Sequence, residues 1–153
     1  MIKNKTYWRG YIDSQDGKTH YAMKEWEVVT APKYETLVPL GKILKVEVEK
    51  YRSGYYLTLP DKWHQLVPLV KDVDYIRGWF ASRGRIYEDD NGAIKLTISG
   101  INVDKFHALV KKLYKIHLPN PGQPSRDSKM KRIIVTGQLA KQLFDIMKGK
   151  IHE

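Results

Sequence analysis

The chain has 153 residues, enough for one domain or for two very small halves around a shared core. It has no cysteine, which excludes disulfides and thiolate metal sites, and no apolar run near the roughly 20 residues that a membrane span needs. Lys and Arg number 27 against 17 acids, a net charge of +10, which favours a polyanionic partner: nucleic acid first, an anionic membrane surface second.

In chain order, the first predicted element is a helix over 6–15, in "YWRGYIDSQ". A hairpin follows in "KTHYAMKEWEVVT" (18–30), which lacks turn residues that would fix its register. A second helix is expected over 33–44, with Pro39 and Gly41 as sites for a kink. Strands "KVEVEKY" and "YYLTL" come next, joined by Arg52-Ser53-Gly54, and a third helix is expected over 61–71.

The order then repeats. A helix is predicted over 73–83, and a hairpin over "RIYEDDNGAIKLTIS", where Asn91-Gly92 signals a type I′ turn. In it Ile94, Leu96 and Ile98 alternate with Lys95, Thr97 and Ser99, the spacing of a half-buried strand. Another helix follows over 104–116 with Asp104 as its N-cap, then the loop-like "LPNPGQPSRDSKMKR", a strand, and a helix over 137–148.

The repeat is legible in the residues. "RGYID" (9–13) aligns with "RGWFA" (77–81), which sets Gly10 over Gly78 and Ser14 over Ser82. "KYETLVPLGKIL" aligns with "KFHALVKKLYKI", and Gln65-Leu66 with Gln142-Leu143, the offset drifting from 68 to 72 to 77. The expectation is an α+β protein of two αββαββα half-domains, 1–72 and 73–153, related by pseudo-twofold symmetry. Helices cover one face of each antiparallel sheet and leave the other free. Small residues four apart lie on one helix face and let backbones approach closely, so Gly10, Ser14, Gly78 and Ser82 are expected at a contact between the two first helices.

Other chemistry-bearing groups read as ordinary. Glu88-Asp89-Asp90 could hold a metal, but beside Asn91-Gly92 they are better read as turn residues. Histidines 20, 64, 107, 117 and 152 have no metal-ligand spacing, and there is no Gly-rich phosphate loop or zinc pattern.

With its opening helices, "WRGYIDSQD" and "IRGWFASRG", and its αββαββα repeat, the chain resembles the LAGLIDADG homing endonucleases over essentially its whole length. The resemblance implies two central helices whose C-terminal ends each deliver a carboxylate to divalent metals at the scissile phosphates, and two saddle-shaped sheets that read the DNA major groove. Here the acid positions carry Gln15 and Arg83. An earlier acid is kept as Asp13 and lost as Ala81, and Asp16 follows one residue late, where a helix bulge would bring it to the site. Glutamine is a weak ligand for Mg²⁺, and arginine repels a metal while pairing with phosphate through its planar fork.

The implied protein is therefore a non-cleaving, double-stranded DNA-binding protein, a transcriptional regulator or architectural binder that needs no cofactor. The alternatives are an RNA-binding, maturase-like splicing protein and a residual Mg²⁺-dependent site-specific endonuclease. Expected contacts are Arg83, Arg85, Tyr87, Lys95, Thr97 and Ser99, with Lys18, Lys24, Arg52 and Tyr56 in the first half, and Arg126, Lys129, Lys131 and Arg132 in the long second-half loop. Glu25, Glu27, Glu47 and Glu49 weigh against tight binding by the first half. No metal or membrane partner is expected, and a cytoplasmic monomer is.

Overall fold

A computed structural model describes residues 3–15, 18–21, 24–123 and 129–148, with backbone alone at 18–21 and 24–26. The elements in chain order are α1 (Lys5–Gln15), β1 (Lys18–Tyr21), β2 (Lys24–Ala31), α2 (Tyr34–Leu44), β3 (Glu49–Tyr51), β4 (Gly54–Thr58), α3 (Trp63–Leu66), α4 (Val73–Arg83), β5 (Gly84–Glu88), β6 (Ile94–Gly100), α5 (Val103–Tyr114), β7 (Lys131–Val135) and α6 (Gly137–Met147). By packing, the chain divides into two compact units, Met1–Ser14 with Val70–Glu153, and Gln15–Leu69. The half-domain bounds 1–72 and 73–153 remain a reading of the repeat.

In the smaller unit the antiparallel sheet runs β1-β2-β4-β3. Its register, open from the sequence, pairs Lys18 with Glu27 and Tyr21 with Lys24, then Val29 with Leu57. Leu37, Leu40 and Leu44 recur at helical spacing on α2 and are buried, as are Val29 and Leu57 of the sheet. The helix runs through Pro39, which leaves the carbonyl four residues back without its helical donor. It stops at Lys45, whose left-handed φ of 58° turns the chain so that Val46 N–H donates to the Gly41 carbonyl at 3.0 Å. That hook delays β3, expected from residue 45, to Glu49. Gly41 is required there, because a Cβ would lie 2.8 Å from the Val46 carbonyl oxygen.

The helix expected over 61–71 is only the single turn Trp63–Leu66. Pro68 forbids the helical conformation to the residue before it, and Val67 sits at φ −127°, ψ 89°.

In the larger unit the sheet runs β5-β6-β7. Leu96, Ile98, Ile133 and Val135 bury one face of it among Ile76, Trp79 and Phe80 of α4, Phe106 and Val110 of α5, and Leu143 and Ile146 of α6. Arg77 is buried with them, its Nε donating to the Ile146 carbonyl at 2.9 Å and so capping the end of α6.

Three sequence expectations need correction here. Gly92 alone of the turn has positive φ, 80°, and Gly92 N–H donates to the Asp89 carbonyl at 3.0 Å. The connection is thus a type I turn followed by a left-handed glycine, not a two-residue type I′ turn. The Asp89 carboxylate accepts from the Asn91 and Ala93 amides, both at 2.9 Å, which is a turn role. Asp104 does not cap α5. That place belongs to Asn102, and the Asp104 carboxylate instead takes Lys131 Nζ at 2.8 Å. The helix ends at Tyr114, because Lys115 turns left-handed at φ 59°. Finally, the segment 118–132, read from the sequence as loop-like, carries a single isolated bridge among the described residues, Gly122 with Arg132. Among the described residues the second half therefore has one strand fewer than αββαββα.

Candidate nucleic-acid interface

Helices α1 and α4 begin alike. Asn4 Oδ1 accepts from Tyr7 N–H at 2.9 Å, and Asp72 Oδ1 accepts from Tyr75 N–H at 3.1 Å. These caps stand 68 residues apart, the offset of the helices themselves, and the sequence reading missed them. Farther along, the helices cross at the two expected glycines. A Cβ on Gly10 would fall on the Tyr75 carbonyl and within 3.1 Å of Trp79 N; one on Gly78 would fall on the Tyr7 carbonyl and within 3.1 Å of Tyr11 N. The relation is reciprocal, since Tyr7 and Tyr75, and Tyr11 and Trp79, are the same positions of the repeat. Ser14 is buried and donates to the Tyr11 carbonyl at 2.8 Å, whereas Ser82 is half-buried.

At the helix ends, each of the three described motif positions has structural partners. Asp13 receives Arg9 Nε at 3.1 and 3.2 Å and the Tyr75 hydroxyl at 2.7 Å. Gln15 spans the backbone of Thr30: its Nε2 donates to the carbonyl at 2.8 Å and its Oε1 accepts the amide at 2.9 Å. Arg83 Nε donates to the Ser14 carbonyl at 3.3 Å, and burial lowers the guanidinium pKa from its ordinary value. Taken one by one, a carboxylate already facing an arginine, a guanidinium and an amide bound to backbone are each poor ligands for a divalent cation. Asp16 lies outside the described residues. Among the described residues, no three His, Asp or Glu side chains converge as a metal site.

Phe80 explains why α4 is followed at once by glycine. Its ring carbons would lie 2.3 to 2.7 Å from a Cβ at residue 84, so only glycine lets the chain pass beneath the ring.

The outward face of the β5-β6-β7 sheet gathers much of the expected contact set. Arg85 pairs across strands with Thr97, Tyr87 with Lys95, and Ser99 with Arg132. Lys95 Nζ stands 5.3 Å over the Tyr87 ring, and Arg132 Nε donates to Ser99 Oγ at 3.2 Å. Ile134, absent from the expected set, completes the row Arg85–Thr97–Ile134. Strand parity two past Arg132 would have found it. Lys131 has the opposite parity and is bound to Asp104 on the helix side, so it is not on this face. Lys129 is exposed just before β7; Arg126 lies outside the described residues.

In the smaller unit, Tyr51 and Tyr56 meet edge to face at 6.1 Å, and Arg52 stands 5.2 Å over the Tyr51 ring. A hydrogen bond to Glu49, more than burial, raises the Tyr56 hydroxyl pKa. Lys18 and Lys24 are on β1 and β2, with side chains outside the described residues. His107 is bound to the Leu118 carbonyl at 2.8 Å, and His64 stacks on Trp63.

Helices paired through glycine and antiparallel sheets with one helix-covered face define a LAGLIDADG-type fold, an α+β architecture of two half-domains. Among solved structures, the N-terminal LAGLIDADG domain of DUF199/WhiA is similar at a TM-score of 0.63 and 13% identity, covering 94% of this chain and 78% of that one. LAGLIDADG meganuclease I-AabMI bound to uncleaved DNA gives a TM-score of 0.66 at 8% identity over 95% and 83% of the two chains. I-DmoI in complex with DNA and Mn gives 0.55 at 13% identity over 95% and 94%. No protein-family profile matches the chain, and no curated protein sequence does. No helix among the described residues is long and apolar enough to cross a membrane.

Proposed function

We propose that the protein binds double-stranded DNA without cleaving it, as a transcriptional regulator or architectural factor. The observation that carries this is the outward face of the β5-β6-β7 sheet. It presents Arg85, Lys95 and Arg132 beside Tyr87, Thr97 and Ser99, with no acid among these outward strand positions. Cations supply phosphate contacts, while hydroxyl and guanidinium groups can reach base edges in a major groove. The charge of +10 supports a polyanion as partner. The DNA-bound state of I-AabMI and I-DmoI supports a duplex in particular.

Loss of cleavage rests on the helix ends. Gln15 has its amide engaged at Thr30, and Arg83 directs a cation at the Ser14 carbonyl. Arg83 also stands as a phosphate contact, so Arg83→Glu is expected to weaken duplex binding markedly.

The test is selection from a random duplex pool, followed by titration at several salt concentrations. A consensus sequence is expected, with affinity falling steeply as salt rises and each of Arg85→Ala and Arg132→Ala flattening that dependence. Preference for structured RNA over duplex at fixed salt would shift the function to RNA binding. Specific nicking with Mg²⁺ or Mn²⁺, lost in Asp16→Asn, would make the protein a residual nuclease.

A further inference from the structure

Ile134 is 48% exposed, on a face whose other outward strand side chains are Arg85, Tyr87, Lys95, Thr97, Ser99 and Arg132. A lone exposed isoleucine is unremarkable on an ordinary surface. This one is set directly across from Thr97, which faces Arg85 on its other side. Both Thr97 and Ile134 are β-branched and stiff at χ1. Directly opposed residues hold their Cβ atoms about 5 Å apart, so this pair sets apolar surface within a cationic face, with Arg132 two residues away held by Ser99.

A polyanion drawn to this face has one base-edge feature that suits such a spot. It is the 5-methyl group of a pyrimidine in the major groove. We propose that Ile134, backed by Thr97, is a specificity contact that reads a 5-methyl pyrimidine in duplex DNA, an inference that rests on the DNA-binding reading above. The contact also discriminates against RNA at the base, because uridine lacks that methyl.

The experiment takes the selected duplex and replaces each thymine in turn by deoxyuridine, which removes one methyl. Affinity is read by fluorescence anisotropy on the full chain. At one or two positions the wild-type protein is expected to lose about fourfold in affinity, the worth of one buried methyl. Ile134→Ala is expected to bind the thymine and deoxyuridine forms there equally well. Restoring the methyl as 5-methylcytosine in a C-for-T duplex distinguishes methyl reading from thymine reading, and partial recovery is expected.

Equal wild-type affinity for fully deoxyuridine-substituted and thymine duplexes would remove this contact and leave DNA binding standing. So would a deoxyuridine penalty that persists in Ile134→Ala. Failure to bind any duplex would remove the DNA reading and the contact together. The wild-type arm needs no variant to fold.

Discussion

The carbonyl of Tyr75 occupies the space that a side chain at Gly10 would need. The Tyr7 carbonyl stands in the same relation to Gly78. Gly10→Ala and Gly78→Ala are therefore each expected to force the helices apart and cost about 3 kcal/mol or more. Gly122 provides the control, since nothing lies within 4 Å of a Cβ there. Gly122→Ala should stay within about 0.5 kcal/mol of wild type. Urea unfolding of the three variants checks this, and an unchanged midpoint for Gly10→Ala would refute the crossing.

Burial pushes the Tyr7 and Tyr11 hydroxyls up from 10.0 to about 12. A group whose folded pKa is raised contributes stability that is complete below the unfolded value and lost as pH rises through the folded one. The protein should thus weaken between about pH 10 and 12, each tyrosine accounting for roughly 2–3 kcal/mol. Tyr75 adds to the effect in the same direction, through burial first and then its bond to Asp13. Melting curves against pH check it. Tyr7→Phe and Tyr11→Phe should each flatten the alkaline limb, and an unaltered limb in both would count against these burials.

Gln15→Glu keeps the acceptor for Thr30 N–H but loses the donor to the Thr30 carbonyl, now 2.8 Å from a carboxylate. A loss of about 1–3 kcal/mol at neutral pH is expected. A carboxyl against a carbonyl has a raised folded pKa, so its protonated form, which restores the donor, returns as pH falls through that raised value and is complete below about pH 4. The deficit should shrink there. Thermal melts at pH 7 and pH 3.5, each compared with wild type, provide the measurement. The same variant incubated with Mn²⁺ and plasmid should remain without nicking, because Arg83 is still at the Ser14 carbonyl.

Among the described residues, three cationic side chains are carried at positive φ: Lys45 at 58°, Arg52 at 51° and Lys115 at 59°. Glycine relieves that strain, so Lys45→Gly and Lys115→Gly should stabilise by about 0.5–1 kcal/mol. Arg52→Gly should gain similarly but lose the guanidinium over Tyr51 and bind duplex more weakly. Paired melting and anisotropy measurements separate the two effects. Unchanged binding would exclude the hairpin tip from the interface.

The fold was largely legible because its signals are local or repeated. Alternation along Ile94–Ser99 fixes which face of β6 is buried, and the matched glycines at 10 and 78 announce a close helix crossing twice. The errors arose where backbone overruled pattern. Val67 before Pro68 ended a helix that periodicity extended, and left-handed Lys45 delayed a strand that alternation started early. Asp104 had the residue type of a cap, yet Lys131, 27 residues on, claimed its carboxylate.

From the sequence alone came the repeat, the glycine spacing, the cationic balance and the presence of Gln15 and Arg83 at matching ends of the two repeated helices, all properties of residue identity and order. Tertiary structure decided what those two side chains do: one amide lies along the Thr30 backbone, and one guanidinium caps the last turn of α1. It also set Ile134 beside Thr97, a pairing between strands far apart in the chain. Alternation fixes which face each strand turns outward, but no tight turn joins β6 to β7, so which residue stands opposite Thr97 is fixed only when the two strands pair in the fold.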